Sequence, residues 1–127
     1  MATVAVGVDV VDVARFTLAL QRRPRMIERL FTPRERDDTG ERPERLAARF
    51  AAKEAVLKTL GSGLGDAALR SIEVQRQSNG APMIVLYDDA LALARARGIT
   101  QLHVSLSHTA TTATAFVIGS SDVARAS

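Results

Sequence analysis

Residues 3–10 read Thr3-Val4-Ala5-Val6-Gly7-Val8-Asp9-Val10, and their strict alternation decides how the rest of the chain is read. Successive strand side chains point to opposite faces, so Val4, Val6, Val8 and Val10 share one face while Ala5, Gly7 and Asp9 share the other. The pattern predicts a half-buried strand. Its second face is small and leads to a carboxylate, which leaves the backbone there open to close approach by a ligand or another chain. From Asp12 the period becomes helical, with Asp12 as the N-cap, Val13, Phe16 and Leu20 inward and Arg15 outward.

An arginine-rich segment follows, carrying Arg15, Arg22, Arg23, Arg25, Arg29, Arg34 and Arg36 against Glu28 and Glu35. Residues 37–44 are polar and contain Gly40 and Pro43, which predicts a loop. A second helix is expected from about Glu44 to Leu60, ending on Gly61-Ser62-Gly63-Leu64-Gly65. Ile72 to Gln77 and Met83 to Tyr87 flank Ser78-Asn79-Gly80-Ala81-Pro82, a hairpin signal. A short helix from Asp88 or Asp89 to Arg97 stops at Gly98. Two last strands, Leu102 to Ser107 and Thr112 to Ile118, enclose a turn with His108 and Thr109. This order of elements predicts an α+β fold with a mainly antiparallel sheet packed against helices. At 127 residues, one globular domain over 1–127 is expected.

Composition narrows the chemistry. Cysteine is absent, which excludes thiolate nucleophiles, disulfides and Cys-based zinc sites and fits a reducing, cytoplasmic setting. No apolar run approaches a membrane span. The net charge of +3 and pI near 10.2 favour an anionic partner. One tyrosine and no tryptophan leave few platforms for stacking nucleic-acid bases, so a phosphorylated cofactor or an acidic protein is the better expectation. Only Lys53 and Lys58 are lysines, and both fall in the second helix.

With Phe50 set at zero on that helix and roughly 100° per residue, Leu46, Leu57 and Leu60 lie within about 80° on one side, with Ala47 and Ala51 on the other. Glu54 projects at about 40°, inside the apolar stripe, with Lys53 and Lys58 near its margins. A carboxylate there must be paired, hydrogen-bonded or bound to metal. Pairing with Arg49, Lys53 or Lys58 is the ordinary reading. The alternative joins Glu54 to Asp9, because two carboxylates from separate elements, completed by substrate phosphates and water, are a usual way of holding Mg²⁺. The glycine turn is neither a Walker motif nor a dinucleotide fingerprint, since no Gly-Lys-Ser/Thr follows it and it opens no helix after a strand.

Four ordered stretches then resemble one family. Gly7-Val8-Asp9-Val10-Val11-Asp12-Val13-Ala14-Arg15-Phe16 is similar to the opening signature of holo-acyl-carrier-protein synthases, and Phe31-Thr32-Pro33-Arg34-Glu35 to their Phe-Thr-x-x-Glu element. Arg49-Phe50-Ala51-Ala52-Lys53-Glu54-Ala55-Val56-Leu57-Lys58 resembles their most diagnostic helix, with the glycine turn directly after it. Val104-Ser105-Leu106-Ser107-His108-Thr109 completes the set. Asp12 stands where the family commonly has Glu, and Ser62 where Thr is usual.

The resemblance implies a phosphopantetheinyl transferase fold and transfer of 4′-phosphopantetheine from coenzyme A to a serine of apo acyl carrier protein, releasing 3′,5′-ADP. It implies Asp9 and Glu54 as Mg²⁺ ligands and places Arg49, Lys58, Ser62 and His108 around the coenzyme A phosphates. Arg15, Arg22 and Arg25 would meet an acidic helix of the carrier. It further implies a homotrimer with active sites between subunits, no nucleic acid and no membrane. Asp9, Glu54 and Lys58 are the expected catalytic set, with these three and a metal-bound water all open as the general base. His108 is equally well read as capping its turn, and His103 as an ordinary strand residue. Two other readings of the same residues are a different Mg²⁺-dependent phosphoryl-transfer enzyme or phosphohydrolase, and a noncatalytic module whose arginines grip nucleic acid or an acidic protein.

Overall fold

In the computed structural model, which describes residues 2–61 and 66–122, the valine repeat forms β1 (Ala2–Asp12). Three short helices follow: α1 (Val13–Arg22), α2 (Met26–Leu30) and α3 (Pro33–Thr39). The long α4 (Pro43–Leu60) leads through a 3₁₀ turn (Asp66–Ser71) into the hairpin of β2 (Ile72–Arg76) and β3 (Pro82–Leu86). After α5 (Asp88–Ala96), β4 (Gln101–His108) and β5 (Thr112–Ser121) complete the fold. All ladders are antiparallel, in a three-stranded sheet ordered β1-β5-β4 and a separate β2-β3 pair lying beside β4. The fold class is therefore the expected α+β.

Helix α4 packs across β1 and β5, and its buried alanines explain how closely it sits. Ala47, Ala48, Ala51, Ala52 and Ala55 are all buried, presenting a surface with little side chain. Opposite them, a Cβ added to Gly7 would lie 2.1 Å from the Ala55 carbonyl oxygen and 2.5 Å from Thr59 Oγ1. Only a residue without a side chain fits there. Asp9, Ala115 and Leu106 are aligned across the sheet in one row, and Val11, Ala113 and His108 in the next along the same face.

This arrangement corrects the expected use of the first strand. Its small-residue face is closed by α4, and the valine face is the one left open: Val6 and Val10 are 56% and 64% exposed, and Phe116 on β5 is 45% exposed beside them. The expected loop over residues 37–44 is also shorter, because α3 continues to Thr39. Thr32 caps α3 in a reciprocal capping box with Glu35, Pro33 opens it, and Gly40 ends it in the left-handed conformation. On α1 the expectation holds, with Asp12 accepting from the Arg15 amide at 2.9 Å and Val13, Phe16 and Leu20 buried.

Candidate functional site

Helix α4 distributes five charged side chains, Arg45, Arg49, Lys53, Glu54 and Lys58, to three environments, and this distribution builds the site. Glu54, partly buried, lines a cleft of about 390 Å³ together with Asp9, Asp12 and Arg15, walled by Phe16 and Phe50. Asp9 projects from the edge strand β1 on the side that α4 covers, and its Oδ1 accepts from Lys58 Nζ at 2.9 Å. The same ammonium donates to the Val8 carbonyl at 2.9 Å, so Lys58 lies along the strand that carries Asp9. Among the described residues no three acidic, histidine or cysteine side chains converge as a metal cluster. The cleft instead offers the carboxylates of Asp9 and Glu54, a donor set of hard oxygens that suits Mg²⁺ once phosphate and water oxygens complete it.

The second environment is basic. Arg45, Arg49, Arg76 and His108 line a cleft of about 330 Å³ that Gln75 and Pro82 also border. Arg49 is buried, with one terminal nitrogen donating to the Val74 carbonyl at 3.3 Å, while its Nε has no hydrogen-bond partner among the described residues. Burial pushes the Arg49 guanidinium below its ordinary pKa, opposed by the charges of Glu35 and Asp38. A charged donor kept dry and incompletely paired favours an incoming anion. His108 ends β4, opposite Ala113, and faces this cleft.

Lys53 occupies the third environment and was expected at the margin of the apolar stripe; it is instead fully buried. Its Nζ lies 2.6 Å from Glu35 Oε1, and it also donates to the carbonyls of Leu69 and Ile72. Lys53 therefore pairs with Glu35, and Lys58 with Asp9. Of the residues expected in the site, Asp9, Glu54 and Lys58 are thus gathered on one side of α4, and Arg49 and His108 on another. Arg15 is exposed at the mouth of the carboxylate cleft, and Arg22 and Arg25 are exposed farther along, at the end of α1 and before α2. Ser62 lies outside the described residues. Sequence reading missed Arg45 and Arg76, which sit in a helix and a strand without motif context. It also missed the role of Glu35, although the Thr32/Glu35 spacing is itself a capping-box signal.

The model of the 4′-phosphopantetheinyl transferase superfamily matches residues 5–115. The holo-acyl-carrier-protein synthase of Beutenbergia cavernae is 51% identical over 115 residues, covering 91% of this chain and 96% of that protein. That of Clavibacter michiganensis subsp. michiganensis is 48% identical over 118 residues, covering 92% and 95%. Among solved structures, the Helicobacter pylori holo-acyl-carrier-protein synthase in complex with coenzyme A superposes with a TM-score of 0.79 at 30% identity, covering 91% of this chain and 99% of that one. With the match spanning both clefts, the chain belongs to the 4′-phosphopantetheinyl transferase superfamily, in its holo-acyl-carrier-protein synthase family.

Proposed function

We propose that this chain transfers the 4′-phosphopantetheine arm of coenzyme A to a serine of an apo acyl carrier protein, releasing 3′,5′-ADP. The observation that carries the reading is the meeting of Asp9 and Glu54, from elements far apart in sequence, in one cleft with Lys58 held against Asp9. In the transfer, the serine oxygen bonds to the β-phosphorus, the bond to the α-phosphate oxygen breaks, and the serine proton is lost. Asp9 and Glu54 would hold Mg²⁺, which when bound neutralises charge on the pyrophosphate. Lys58 offers a positive charge beside these carboxylates, where a phosphoryl group in transfer spreads its charge over equatorial oxygens.

The basic cleft is read as the seat of the remaining coenzyme A phosphates, with Arg49 and His108 as its anion donors and Arg45 and Arg76 added to them. Among the described residues of one chain the two clefts share no lining residue. Arg49 and Glu54 are about 140° apart around α4. An assembly that apposes the carboxylate cleft of one copy to the basic cleft of another would unite them. The exposed valine face supports this, because Val6, Val8, Val10 and Phe116 form a contiguous apolar surface beside Asp9. We read the assembly as a homotrimer with active sites between subunits, in the cytoplasm. Among the described residues no helix is long and apolar enough to cross a membrane.

The carrier is read as docking on α1. Arg15, Leu18 and Arg22 are exposed and spaced three and four residues apart, so they share one face that begins at the carboxylate cleft. An acidic amphipathic helix laid there meets charge at both ends and an apolar contact between them.

Incubation with coenzyme A, Mg²⁺ and an apo carrier, followed by weighing the carrier, tests the function directly. Asp9→Asn and Glu54→Gln should each lose transfer at limiting Mg²⁺ while keeping their far-ultraviolet circular dichroism. Normal turnover by either variant would remove that carboxylate from the metal site. Release of 3′,5′-ADP without carrier would favour a hydrolase instead.

A further inference from the structure

Neither Glu35 nor Lys53 is among the described residues that line the two clefts, yet the buried pair lies along β2, whose end forms a wall of the basic cleft. Within a strand, the N–H and C=O of one residue point to the same side and those of its neighbours to the other. Ser71 and Gln77 bond toward the β3 side, through Tyr87 N to Ser71 O at 2.8 Å and Gln77 N to Ala81 O at 2.9 Å. Ile72 and Val74 therefore present their backbone groups to the other edge of β2, where no strand lies among the described residues.

Side chains fill that edge. Lys53 Nζ donates to the Ile72 carbonyl at 2.6 Å, Glu35 Oε2 accepts from the Val74 amide at 2.8 Å, and Arg49 donates to the Val74 carbonyl at 3.3 Å. Arg49 and Lys53 stand four residues apart on α4 and so share a face. Lys53 spends its three protons on Leu69, Ile72 and Glu35, and Glu35 also accepts from the Thr32 amide at 3.0 Å. Both side chains are inaccessible to solvent. Lys53 thus has no donor left over, and neither side chain can be reached by a substrate from solvent.

We propose that Glu35 and Lys53 are positioning residues for the coenzyme A cleft: with Arg49 they replace a third strand along β2. This ladder sets the distance between α4, which carries Arg49, and the hairpin that carries Gln75 and Arg76. Arg49 belongs to both systems, since the guanidinium that closes the ladder also lines the cleft. The inference rests on reading the basic cleft as the coenzyme A phosphate site.

The test separates the two readings. Arg49→Ala should raise the KM for coenzyme A; an unchanged value would overturn the reading of the cleft and the inference with it. Glu35→Gln/Lys53→Met removes both charges together and leaves neither buried alone. It should raise the coenzyme A KM, and weaken calorimetric binding of 3′,5′-ADP, by about tenfold, while the carrier KM stays within about twofold. A folded double variant with wild-type coenzyme A KM, or with both KM values raised alike, would show that the pair only stabilises the fold, whatever Arg49→Ala does. Glu35→Asp keeps the charge but is one methylene too short to reach Lys53 and Val74 together. It should raise the coenzyme A KM by about threefold with kcat little changed. If the double variant does not fold, an unaltered coenzyme A KM in Glu35→Asp overturns the inference.

Discussion

Lys53 and Lys58 are the only lysines of the chain and stand on the same helix, yet they have opposite fates. Lys53 is sealed in the core against Glu35, whereas Lys58 is 56% exposed and pairs with Asp9 at the rim. About 140° of helix rotation separates them. The difference teaches that what a lysine can do is set by what covers it. Lys53 has all its donors committed to backbone and carboxylate, so it stores no reactivity. Lys58 keeps a proton donor and a charge available to an anion arriving from solvent.

The largest effect should come from breaking the buried pair on one side. Lys53→Met leaves the Glu35 carboxylate buried without its counter-ion, which costs about 3–5 kcal/mol. Thermal denaturation should show a large fall in Tm, and addition of Glu35→Gln should recover part of it. Burial lowers the pKa of Lys53 and the Glu35 charge opposes that shift. If single and double variants melt alike, the pair is not the unit described.

Lys58→Met should reverse that pattern. On the proposed role of Lys58 beside the transferred phosphoryl group, its loss should lower kcat/KM by about 10²–10³, or ~2.7–4 kcal/mol. Its exposed pair with Asp9 contributes about 0–1 kcal/mol to stability, so Tm should barely move. A variant that unfolds early, or that transfers normally, would erase the contrast between the two lysines.

A third variant extends the comparison to the protein partner. Arg15→Glu reverses a charge at the mouth of the carboxylate cleft and should raise the carrier KM by about tenfold, ~1.4 kcal/mol, with the coenzyme A KM nearly unchanged. Wild-type transfer should slow with added salt and the variant should show a flatter dependence. A raised coenzyme A KM with an unchanged carrier KM would assign Arg15 to the nucleotide.

The smallest effect concerns a carboxylate held by neutral donors. Burial pushes the Glu73 carboxyl up, but hydrogen bonds from Thr32, Gln75 and Tyr87 outweigh it and bring the pKa below the ordinary glutamate value. Stability from a depressed carboxylate is present above its unfolded pKa and lost as pH falls through the folded one. Glu73→Gln should therefore cost ~1 kcal/mol near neutral pH and progressively less below the ordinary glutamate value. Chemical denaturation at a series of pH values reads this, and a gap that widens toward acid would contradict the sign.

Much of this was legible before any tertiary information. Alternation in β1, the cap at Asp12, the hairpin around Gly80 and the inward face of α1 are local properties, written in residues a few positions apart. The candidate site was legible as a list, through motifs that carry Asp9, Arg49, Glu54, Lys58 and His108. Its division into two clefts was not, because Arg49 and Glu54 sit in one motif and only the elements packed around α4 send them to different sides. Arg45 and Arg76 escaped notice for a related reason, since each gains meaning only from the other's approach.

By itself, the sequence determined the five strands, the helices α1, α4 and α5, the α+β class and the chemical types available for phosphate and metal. Tertiary structure alone decided which face of β1 is covered, which lysine is buried and which groups meet. The physical reason is that secondary structure follows from short-range periodicity and capping, whereas burial is a property of pairs distant along the chain. At Gly7, the absence of one methyl group lets the Ala55 carbonyl approach, and that contact turns the valines outward.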